Sequence, residues 1–597
     1  MQQQSHDCDV LILGAGLAGL TLARQLLLAD PDLRILQLER RHEIPRSQQK
    51  VGEATVQVSG YYLGRVLQLE EHLLRHHFLK YNLRFFWKTT SGGQRYEEYS
   101  QSYIRGMSNI PTYQLDRNVL ESELIRVNRE QPRYRLISPA KDLEIDLAKG
   151  GDLHGFQFLA EDGPVSGRAC WVVDASGRSR ILARKLGLVR QSPIDHGTSF
   201  LWVDGLLDVE KLTDLTAAEI RKRPDRASVG HMPAFLATNH FCGEGFWFWV
   251  IPLHGITSLG LVYDASKISR ADVGTPEKLV AWICREFPCF ARDLPRRKIV
   301  SRGGFDSFAL DSSQTLSADG WAMCGEACRF TDPLYSPGGD LIAIYNTVIT
   351  DAILTRDRGE LEGKVRMYEG LARAVYEAYI PSYAVSYETL GDQETFSLRY
   401  TWELAIYFSF YVFPFINDLF TDRRFLPGYL RRFSQLGPMN RRMHELLVAF
   451  YRWKKENLSE RPDAPILFDF YEAWQLGAAE KCFYKVGVPV EEARRVLDEQ
   501  LGNLEEMARW TTAHIAATVL GDPRALTHPD FVGSLDPAMV EWDPDGWRAL
   551  LERCHETAET WPWRHAPIPS DRFRPMRMEE MEGEREIELQ AAAGGMR

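Results

Sequence analysis

The sequence predicts an α/β protein in which a Rossmann-like nucleotide-binding region interleaves with a mixed β-sheet and is followed by mainly helical segments. Three observations predict this class. A glycine-rich turn between an apolar strand and a helix opens the chain, further apolar strands end in small and acidic residues, and aromatic, charged helical segments begin near Arg399. We expect a core over residues 1–395 that holds the nucleotide-binding region and the interleaved sheet, a helical cap over 396–566, and a polar, disordered tail over 567–597.

The composition is that of an ordinary globular protein. Of the 597 residues, 44% are hydrophobic and 26% are charged, which gives enough apolar material for a large core. The formal net charge of −11 argues against nucleic-acid binding, because no basic stripe is available to neutralise phosphates. The N-terminus lacks the basic and then apolar layout of a signal peptide, so we expect a cytoplasmic protein.

The nine cysteines follow neither the pattern of a disulfide framework nor that of a metal site. The closest pairs are Cys284 with Cys289 and Cys324 with Cys328, and neither has a second ligand pair at zinc-site spacing. We interpret the cysteines as structural thiols and predict no metal site.

The first motif is the stretch DCDVLILGAGLAGLTLARQLLLADPDLRILQLERR, residues 7–41. An apolar strand leads into a G-x-G-x-x-G turn and a helix, and a second strand then ends in an acidic residue. In such a turn the first glycine permits a tight bend, the second lets the backbone approach a pyrophosphate and the third lets helix pack on strand, while the acid accepts hydrogen bonds from a ribose. The residues predicted to bind a dinucleotide here are Gly14, Gly16, Leu17, Ala18, Gly19, Glu39 and Arg40.

Three later segments continue the pattern of a nucleotide site, namely YQLDR (113–117), WVVDASGRSR (171–180) and GWAMCGEACRFTDPLYSPGGD (320–340). This series resembles the FAD-binding elements of the aromatic hydroxylase-like flavoproteins, with Glu326 in place of their usual aspartate. The resemblance implies FAD as the cofactor, with contacts from Arg117, Asp174, Gly325, Glu326, Pro333, Gly338 and Gly339. No second G-x-G-x-x-G motif is present for a nicotinamide cofactor, so reduced flavin is expected from a separate flavin reductase.

Three further motifs narrow the family. GFWFWVIPL (245–253) contains W-x-W-x-I-P, FTDPLYSPG (330–338) contains F-x-x-P-x-x-S-x-G, and KVGEAT (50–55) contains K-x-G-E-A-T. In this order they resemble the signatures of the flavin-dependent halogenases, and most of all those of the phenol and pyrrole halogenases. The resemblance covers about residues 7–395.

The resemblance implies a reaction and a role for each motif. Reduced FAD adds O2 to give a C4a-hydroperoxide, chloride or bromide attacks the distal oxygen, and the hypohalous acid passes through a tunnel to a lysine before an electron-rich ring is halogenated. Lys50, with Glu53 beside it, would hold or relay that species as a chloramine or through hydrogen bonds, if protein surrounds the lysine. Trp247 and Trp249 would line the wall between flavin and tunnel. Backbone N–H groups at a helix start would bind the halide, at Ser336, Gly338 and Gly339.

Pro337 departs from the family pattern at the halide turn, and the neighbouring residues Asp340 and Tyr335 also bear on the chemistry there. Pro337 has no N–H, so one backbone donor for the halide is missing. The charge of Asp340 would disfavour an anion unless the carboxylate points away. Tyr335 stands where tryptophan halogenases carry an acidic residue. Because a phenol needs only to lose its own proton, Tyr335 favours a phenol-like substrate, and the general base is left unassigned.

The stretch WELAIYFSFYVFPFINDLF (402–420) is apolar and aromatic but contains Glu403, Pro414 and Asp418. It is shorter than the roughly 20 clean residues that a membrane span needs, so no stable membrane insertion is expected. One interpretation is a buried helix or a lid helix whose aromatic residues line a substrate channel. The alternative is an interfacial helix.

Three functions remain, of which the first two are enzymes on one fold and the third belongs to another class. The first is a two-component halogenase acting on a small phenol-like or other electron-rich aromatic, free or tethered to a carrier protein. The second is a flavin monooxygenase or oxidase on the same fold that has lost halide use, which Pro337 favours and Lys50 with the two tryptophans opposes. The third is a flavoprotein that serves as a binding or assembly component, which the intact glycine turn and lysine segment oppose.

Overall fold

A computed structural model describes residues 4–5, 7–104, 106–223, 232–458, 462–554, 561–564 and 573. The α/β class predicted from the sequence is confirmed, because two large sheets form the core and helices pack around them and dominate the C-terminal third. Of the tail expected over 567–597, only Phe573 is among these residues, so the prediction of disorder falls outside the described part of the chain.

Nine strands form the first sheet, and its central strands run parallel. The strands along its main path are Leu316–Ser317, Trp321–Met323, Gly163–Asp174, Cys8–Leu13, Ile35–Leu38 and Tyr134–Ile137. The strands that pair off this path are Gln4–Ser5, His154–Ala160 and Lys141–Asp146. The apolar run of Cys8–Leu13 is almost wholly buried, as expected for a parallel strand that is covered on both faces.

Three parallel strands of the first sheet end level with one another. Leu13 pairs with Asp174, and Asp174 pairs with Met323. The loops that follow these three residues therefore leave the same edge of the sheet, and they contain the glycine turn and two of the later segments. Ligands of open α/β sheets bind at this carboxyl edge, so the topology brings motifs from distant parts of the chain to one place.

Eight strands form the second sheet, which is mostly antiparallel. In order across the sheet they are Ile299–Phe305, His196–Asp204, Ile256–Asp264, Phe246–Pro252, Ala237–Gly243, Asn82–Lys88, Tyr99–Tyr103 and Leu467–Asp469. Side chains of the central strand Phe246–Pro252 alternate between two cores: Trp247 and Trp249 pack into the large core, and Phe248 and Val250 into a smaller one. Both tryptophans of the W-x-W motif therefore face the same side.

Part of the region beyond residue 396 is built into this sheet. Strand Leu467–Asp469 pairs in parallel with Tyr99–Tyr103 at the sheet edge. Two further strand pairs lie outside both large sheets, Phe78–Lys80 with Thr112–Gln114 and Val189–Arg190 with Asp311–Ser312.

Helices surround the sheets and build most of the cap. Up to residue 377 they are Leu17–Ala29, Gln57–Tyr61, Glu70–His76, Arg117–Arg129, Ile181–Lys185, Ala217–Arg221, Arg270–Val273, Pro276–Glu286, Pro337–Leu354 and Arg358–Glu377. Beyond it they are Gln393–Tyr407, Phe413–Ile416, Leu426–Asn457, Trp474–Cys482, Val490–Leu520, Arg524–Thr527, Pro529–Ser534 and Pro544–Leu551. Asn128 donates to the Leu20 carbonyl at 3.0 Å and Asn346 to the Ala18 carbonyl at 3.2 Å, which fixes two helices against the one that follows the glycine turn.

The apolar segment 402–420 is a buried helical segment. It comprises the end of helix Gln393–Tyr407, a π-helical turn over Phe408–Val412 and helix Phe413–Ile416. Its apolar side chains lie in the large core, which agrees with the buried-helix interpretation and not with the interfacial one. Among the helices that the structure describes, none is both long and apolar enough to cross a membrane.

Candidate active site

Two neighbouring cavities are candidates for the site: cavity A lies at the carboxyl edge of the first sheet, and cavity B lies partly against helix Gln393–Tyr407. Cavity A, of about 320 Å³, is lined by residues that include Gly16, Leu17, Ala18, Glu53, Arg117, Arg178, Trp247, Trp249, Gly325, Glu326, Pro333, Ser336, Gly338 and Gly339. Cavity B, of about 80 Å³, is lined by residues that include Val56, Lys80, Tyr335, Pro337, Asp340, Tyr400, Glu403 and Tyr407. Cavity A is the larger and contains the glycine turn, so it is the candidate for the dinucleotide, which leaves cavity B for a small ring.

The glycine turn has the geometry that a pyrophosphate requires. Gly14 has φ +106°, and a Cβ there would lie 2.5 Å from the Ala175 carbonyl oxygen, so this position requires glycine. Gly16 lines cavity A, and nothing lies within 4 Å of its Cβ position. Helix Leu17–Ala29 begins there with no side-chain cap, so the N–H groups of its first turn are left for a ligand. The backbone at this point fits FAD.

The other residues predicted for FAD divide into two groups. Those that line cavity A are Leu17, Ala18, Arg117, Gly325, Glu326, Pro333, Gly338 and Gly339. Those outside its lining are Gly14, Gly19, Glu39, Arg40 and Asp174. Glu39 accepts the N–H groups of Ala15 and Arg41, each at 3.1 Å, and Asp174 accepts the N–H of Leu182 at 2.7 Å. These two carboxylates hold the turns that shape the cavity.

Cavity A carries positive charge suited to phosphates. Arg117 and Arg178 both line it, and Arg178 lies in the quoted segment 171–180, although the sequence reasoning did not select it. Arg178 is held by the Phe308 carbonyl at 3.0 Å. Burial raises the pKa of Glu326, and the two arginines oppose that rise.

Lys50 lies outside the lining of both cavities. Its ammonium is paired with the Glu121 carboxylate, which also accepts a hydrogen bond from Arg117 at 2.7 Å. Burial lowers the pKa of Lys50, and the charge of Glu121 opposes this. Lys50 therefore contacts the cavity A lining only indirectly: it pairs with the Glu121 carboxylate, which in turn positions Arg117.

A different lysine lies in the wall between the two cavities. Lys80 ends strand Phe78–Lys80, is 3% exposed and lines cavity B. Its ammonium donates to the Thr55 carbonyl at 2.6 Å, and Thr55 lines cavity A while the next residue, Val56, lines cavity B. Burial lowers the pKa of Lys80 to about 7, against the opposing charge of Asp340. Lys80 is thus the lysine that combines a position between the cavities with an ammonium that titrates near neutral pH.

The turn predicted to bind halide forms another part of this wall. Ser336 has φ +60° and is the N-cap of helix Pro337–Leu354. The residues of this turn divide between the two cavities: Tyr335, Pro337 and Asp340 line cavity B, whereas Ser336, Gly338 and Gly339 line cavity A. The ring of Pro337 therefore belongs to the cavity B side, and the three residues predicted for halide all belong to the cofactor side.

Asp340 points away from the predicted halide turn. Its carboxylate is 1% exposed, lines cavity B, and accepts hydrogen bonds from the Ser59 N–H at 2.8 Å and the Tyr407 hydroxyl at 2.7 Å. Burial raises the pKa of Asp340 to about 6, against these hydrogen bonds and the charge of Lys80. Asp340 therefore belongs to the lining of cavity B, whereas the three residues predicted to bind halide line cavity A.

The remaining residues of the predicted catalytic set line cavity A. The rings of Trp247 and Trp249 lie 5.7 Å apart, and Trp249 donates to the Ser258 hydroxyl at 2.9 Å. Glu53 accepts a hydrogen bond from the Trp202 indole at 2.9 Å, and burial raises its pKa. All three side chains thus belong to the lining of the candidate dinucleotide cavity and not to that of cavity B.

Cavity B contains a second carboxylate, supplied by the cap. Glu403 lies on helix Gln393–Tyr407, one turn after Tyr400, whose ring is 4.7 Å from that of Tyr335. One oxygen of Glu403 accepts from Arg399 at 2.9 Å, and the other is buried with no hydrogen-bond partner among the residues described. A buried carboxylate oxygen without a donor is costly, so it marks a place for a donor on a ligand.

Lys80 and Glu403 are functional candidates that the sequence reasoning missed. A usable signal for Lys80 was its position in HFLKYNLRFFW (77–87), where a lysine interrupts an apolar, aromatic run, because lysines are almost never fully buried without a purpose or a partner. Glu403 had a similar signal, as the acid within the apolar stretch 402–420.

No family model matches the chain. In sequence it is similar to the flavin-dependent halogenase chlA of Dictyostelium discoideum, 25% identical over 454 residues that cover 69% of this chain and 73% of the relative. It is also similar to the 1H-pyrrole-2-carbonyl-(peptidyl-carrier protein) chlorinase of Pseudomonas fluorescens, 23% identical over 392 residues that cover 60% of this chain and 82% of the relative.

Among solved structures the chain is similar to halogenase PltM. The TM-score is 0.56 at 17% identity, and the match covers 83% of this chain and 96% of that one. The complex of PltM with phloroglucinol and FAD matches with a TM-score of 0.54, again at 17% identity, and covers 84% of this chain and 96% of that one. At this identity the likeness establishes a shared fold.

Proposed function

This chain belongs to the flavin-dependent halogenase family, and from that premise we propose that it transfers chloride or bromide to a phenol-like ring held in cavity B. It is an enzyme that uses FAD, O2 and halide. The observation that carries the proposal is the buried Lys80, whose ammonium reaches the backbone segment that separates cavity A from cavity B.

Cavity A would hold FAD with groups from several segments. The first turn of helix Leu17–Ala29 would bind the pyrophosphate, and Arg117 with Arg178 would balance phosphate charge. Bound reduced FAD supplies the activation of O2 that oxidises halide to an electrophilic halogen species. Trp247 and Trp249 would exclude water and substrate from the flavin side of the wall. The residues proposed to bind the halide remain Ser336, Gly338 and Gly339.

We assign the role of the relaying lysine to Lys80 instead of Lys50. An ammonium carries three N–H donors, and Thr55 accepts one of those of Lys80. The others can hydrogen-bond the oxygen of a hypohalous acid arriving from cavity A and orient its halogen toward a ring in cavity B. The negative charge of the Asp340 carboxylate favours the protonated form of Lys80.

The carboxylate of Glu403 supports a phenol-like substrate. Its unpartnered oxygen can accept the proton of a ring hydroxyl, and a ring that approaches the phenolate is more reactive toward electrophilic halogen. Tyr335, Tyr400 and Tyr407 supply aromatic walls for such a ring. The complex of PltM with phloroglucinol is consistent with this substrate class.

Glu403→Gln is expected to lower kcat/KM for phloroglucinol by about 10²-fold, since it removes the acceptor that draws the proton from the hydroxyl. The loss for 1,3,5-trimethoxybenzene, which has no hydroxyl proton, is expected to be much smaller. The kcat/KM values for both substrates are obtained from product formation by mass spectrometry. Thermal melting verifies that the variant folds, because Arg399 loses an ion-pair partner. Equal losses for both substrates would contradict the role of Glu403.

The yield of halogenated product per reduced flavin is expected to be bell-shaped in pH. Below pH about 6 Asp340 gains a proton and no longer supports the Lys80 ammonium, and above pH about 7 Lys80 loses its own proton, because their pKa values are shifted to about 6 and about 7. Product and reoxidised flavin are quantified from pH 5 to 9. Asp340→Asn, which mimics the protonated acid, is expected to hold the yield near its low acidic level across the range, whereas a wild-type yield that is flat from pH 5 to 9 would contradict the assignment.

The proposal is tested by product analysis. The purified protein is incubated with FAD, a flavin reductase, NADH, bromide and a panel of phenols, resorcinols and pyrroles, offered free and on a carrier protein. We expect a bromine isotope doublet in a phenolic product, and no product with NADH when the reductase is omitted. Hydroxylated products that form independently of halide would instead identify a monooxygenase that has lost halide use at the Pro337 turn.

A further inference from the structure

A third cavity, cavity C, lies in the helical cap and shares part of its wall with cavity B. It has a volume of about 560 Å³ and is bordered by helices Arg358–Glu377, Gln393–Tyr407 and Leu426–Asn457. The residues that line both cavity B and cavity C are Tyr379, Ser382, Glu403 and Tyr407. The carboxylate proposed to bind the ring hydroxyl therefore stands at the boundary of a second, larger space.

Cavity C changes character from its mouth to its floor. Its exposed lining residues, which mark the mouth, are Glu377, Ser434, Gly437, Pro438 and Arg441. Its inner lining is mostly apolar and buried or half-buried, and includes Ala374, Ala378, Ile406, Tyr411, Leu430, Phe433 and Leu436. Asn440 is a buried polar residue of this lining, in addition to the polar residues shared with cavity B. The cavity thus leads from the surface, over an apolar floor, to the wall of the substrate cavity.

The helix at the mouth has a break in its hydrogen bonding. Pro438 lies inside helix Leu426–Asn457, and because proline has no N–H, the Ser434 carbonyl one turn earlier loses its helical partner. Both residues line cavity C. The break that Pro438 causes in the helix therefore lies at the mouth of cavity C.

The two tyrosines at the boundary differ in how they are held. Tyr407 is fixed by its hydroxyl, which accepts from the Val58 N–H at 3.1 Å and donates to Asp340 at 2.7 Å. Tyr379 is held by ring contacts with Tyr383 and Tyr411, at centroid distances of 6.1 and 5.6 Å, and no described residue hydrogen-bonds its hydroxyl. Tyr379 is therefore the side chain that would have to turn aside for the two spaces to join.

The charges at the mouth are largely paired. Arg442 lies 3.8 Å from Glu541, and Glu377 lies 3.6 Å from Arg373, while Arg441 is exposed to solvent. The interior offers apolar surface rather than an unpaired charge, so it suits a neutral hydrocarbon chain better than an anionic group.

We propose that cavity C is the second compartment of the substrate site, and that the substrate is a phenol or resorcinol carrying an alkyl or acyl chain. The ring occupies cavity B, its hydroxyl faces Glu403, and the chain passes Tyr379 into cavity C. This inference rests on the proposed function for the location of the ring, but the affinity for the chain can be measured without turnover.

The test is equilibrium binding of resorcinol and 5-pentylresorcinol to the FAD-loaded protein by calorimetry. Because each buried methylene contributes about 0.8 kcal/mol, 5-pentylresorcinol is expected to bind at least about tenfold more tightly. Ala374→Trp, which fills the floor, and Ser434→Trp, which narrows the mouth, are each expected to remove most of this preference. Gln435→Trp is the matched control, since Gln435 is the next exposed residue on the same helix and lies outside the cavity lining.

Equal affinities for the two ligands, or a preference that both cavity variants leave intact, would overturn the inference. Failure of the proposed function has a different signature. A protein that prefers 5-pentylresorcinol but halogenates neither compound would retain the two-compartment site and refute the halogenase activity. A protein that binds both compounds with equal affinity and halogenates both would support the halogenase activity and refute the two-compartment site.

Discussion

Lys80→Met is expected to reduce halogenated product by about 10²–10⁴-fold, the range typical for loss of a positioned proton donor, while FAD binding and the reoxidation of reduced flavin continue. The reason is positional: Lys80 lines cavity B and donates to the backbone at Thr55, which lines cavity A. Lys50→Met is expected to retain product formation and to weaken FAD binding several-fold at most, because Lys50 shares Glu121 with Arg117.

The two variants are compared by FAD titration, by stopped-flow reoxidation of reduced flavin, and by product analysis. Lys80→Arg serves as a further control, since it keeps a charge in the wall but cannot deprotonate near neutral pH. Loss of product in Lys50→Met with full activity in Lys80→Met would return the catalytic role to the lysine of the K-x-G-E-A-T motif.

Gly16→Val is expected to abolish activity through loss of FAD while leaving the apo-protein as stable as the parent. Gly16 has φ −89°, which any residue adopts, and nothing lies within 4 Å of its Cβ position. The valine side chain would fill the part of cavity A where the backbone must approach a pyrophosphate. We expect FAD affinity to fall by at least about 10²-fold, a loss of about 2.7 kcal/mol.

Gly14→Ala provides the contrast within the same turn. Its φ of +106° and a Cβ position 2.5 Å from the Ala175 carbonyl oxygen predict a strain of about 1–3 kcal/mol in the folded state. Thermal melting of the apo-proteins and FAD fluorescence titration separate the two effects. Unchanged FAD affinity in Gly16→Val would show that the pyrophosphate lies elsewhere.

Features encoded locally could be predicted from the sequence. The G-x-G-x-x-G turn can be recognised from the sequence, because the steric constraints that require its glycines act within a few residues of one another. The alternation of W-x-W likewise places Trp247 and Trp249 on one face of a strand wherever that strand lies. The α/β class follows from the same local patterns.

The wall between the cavities could not be predicted in this way. Lys80, Asp340 and Glu403 come from three separate segments, and tertiary packing brings them to one cavity. The sequence favours Lys50 because it is the lysine of the K-x-G-E-A-T motif, but a motif does not reveal that its ammonium pairs with Glu121. The orientation of Asp340 away from the halide turn likewise depends on Ser59 and on tertiary contacts.

The central claim is that the wall around Lys80 passes halogen, rather than oxygen, from cavity A to cavity B. The most direct measurement is a single turnover in which anaerobically reduced FAD on the enzyme is mixed with O2, bromide and a resorcinol, with no reductase present. We expect a monobrominated product whose yield per flavin saturates with bromide and disappears in Lys80→Met. A hydroxylated product formed equally well without bromide would contradict it.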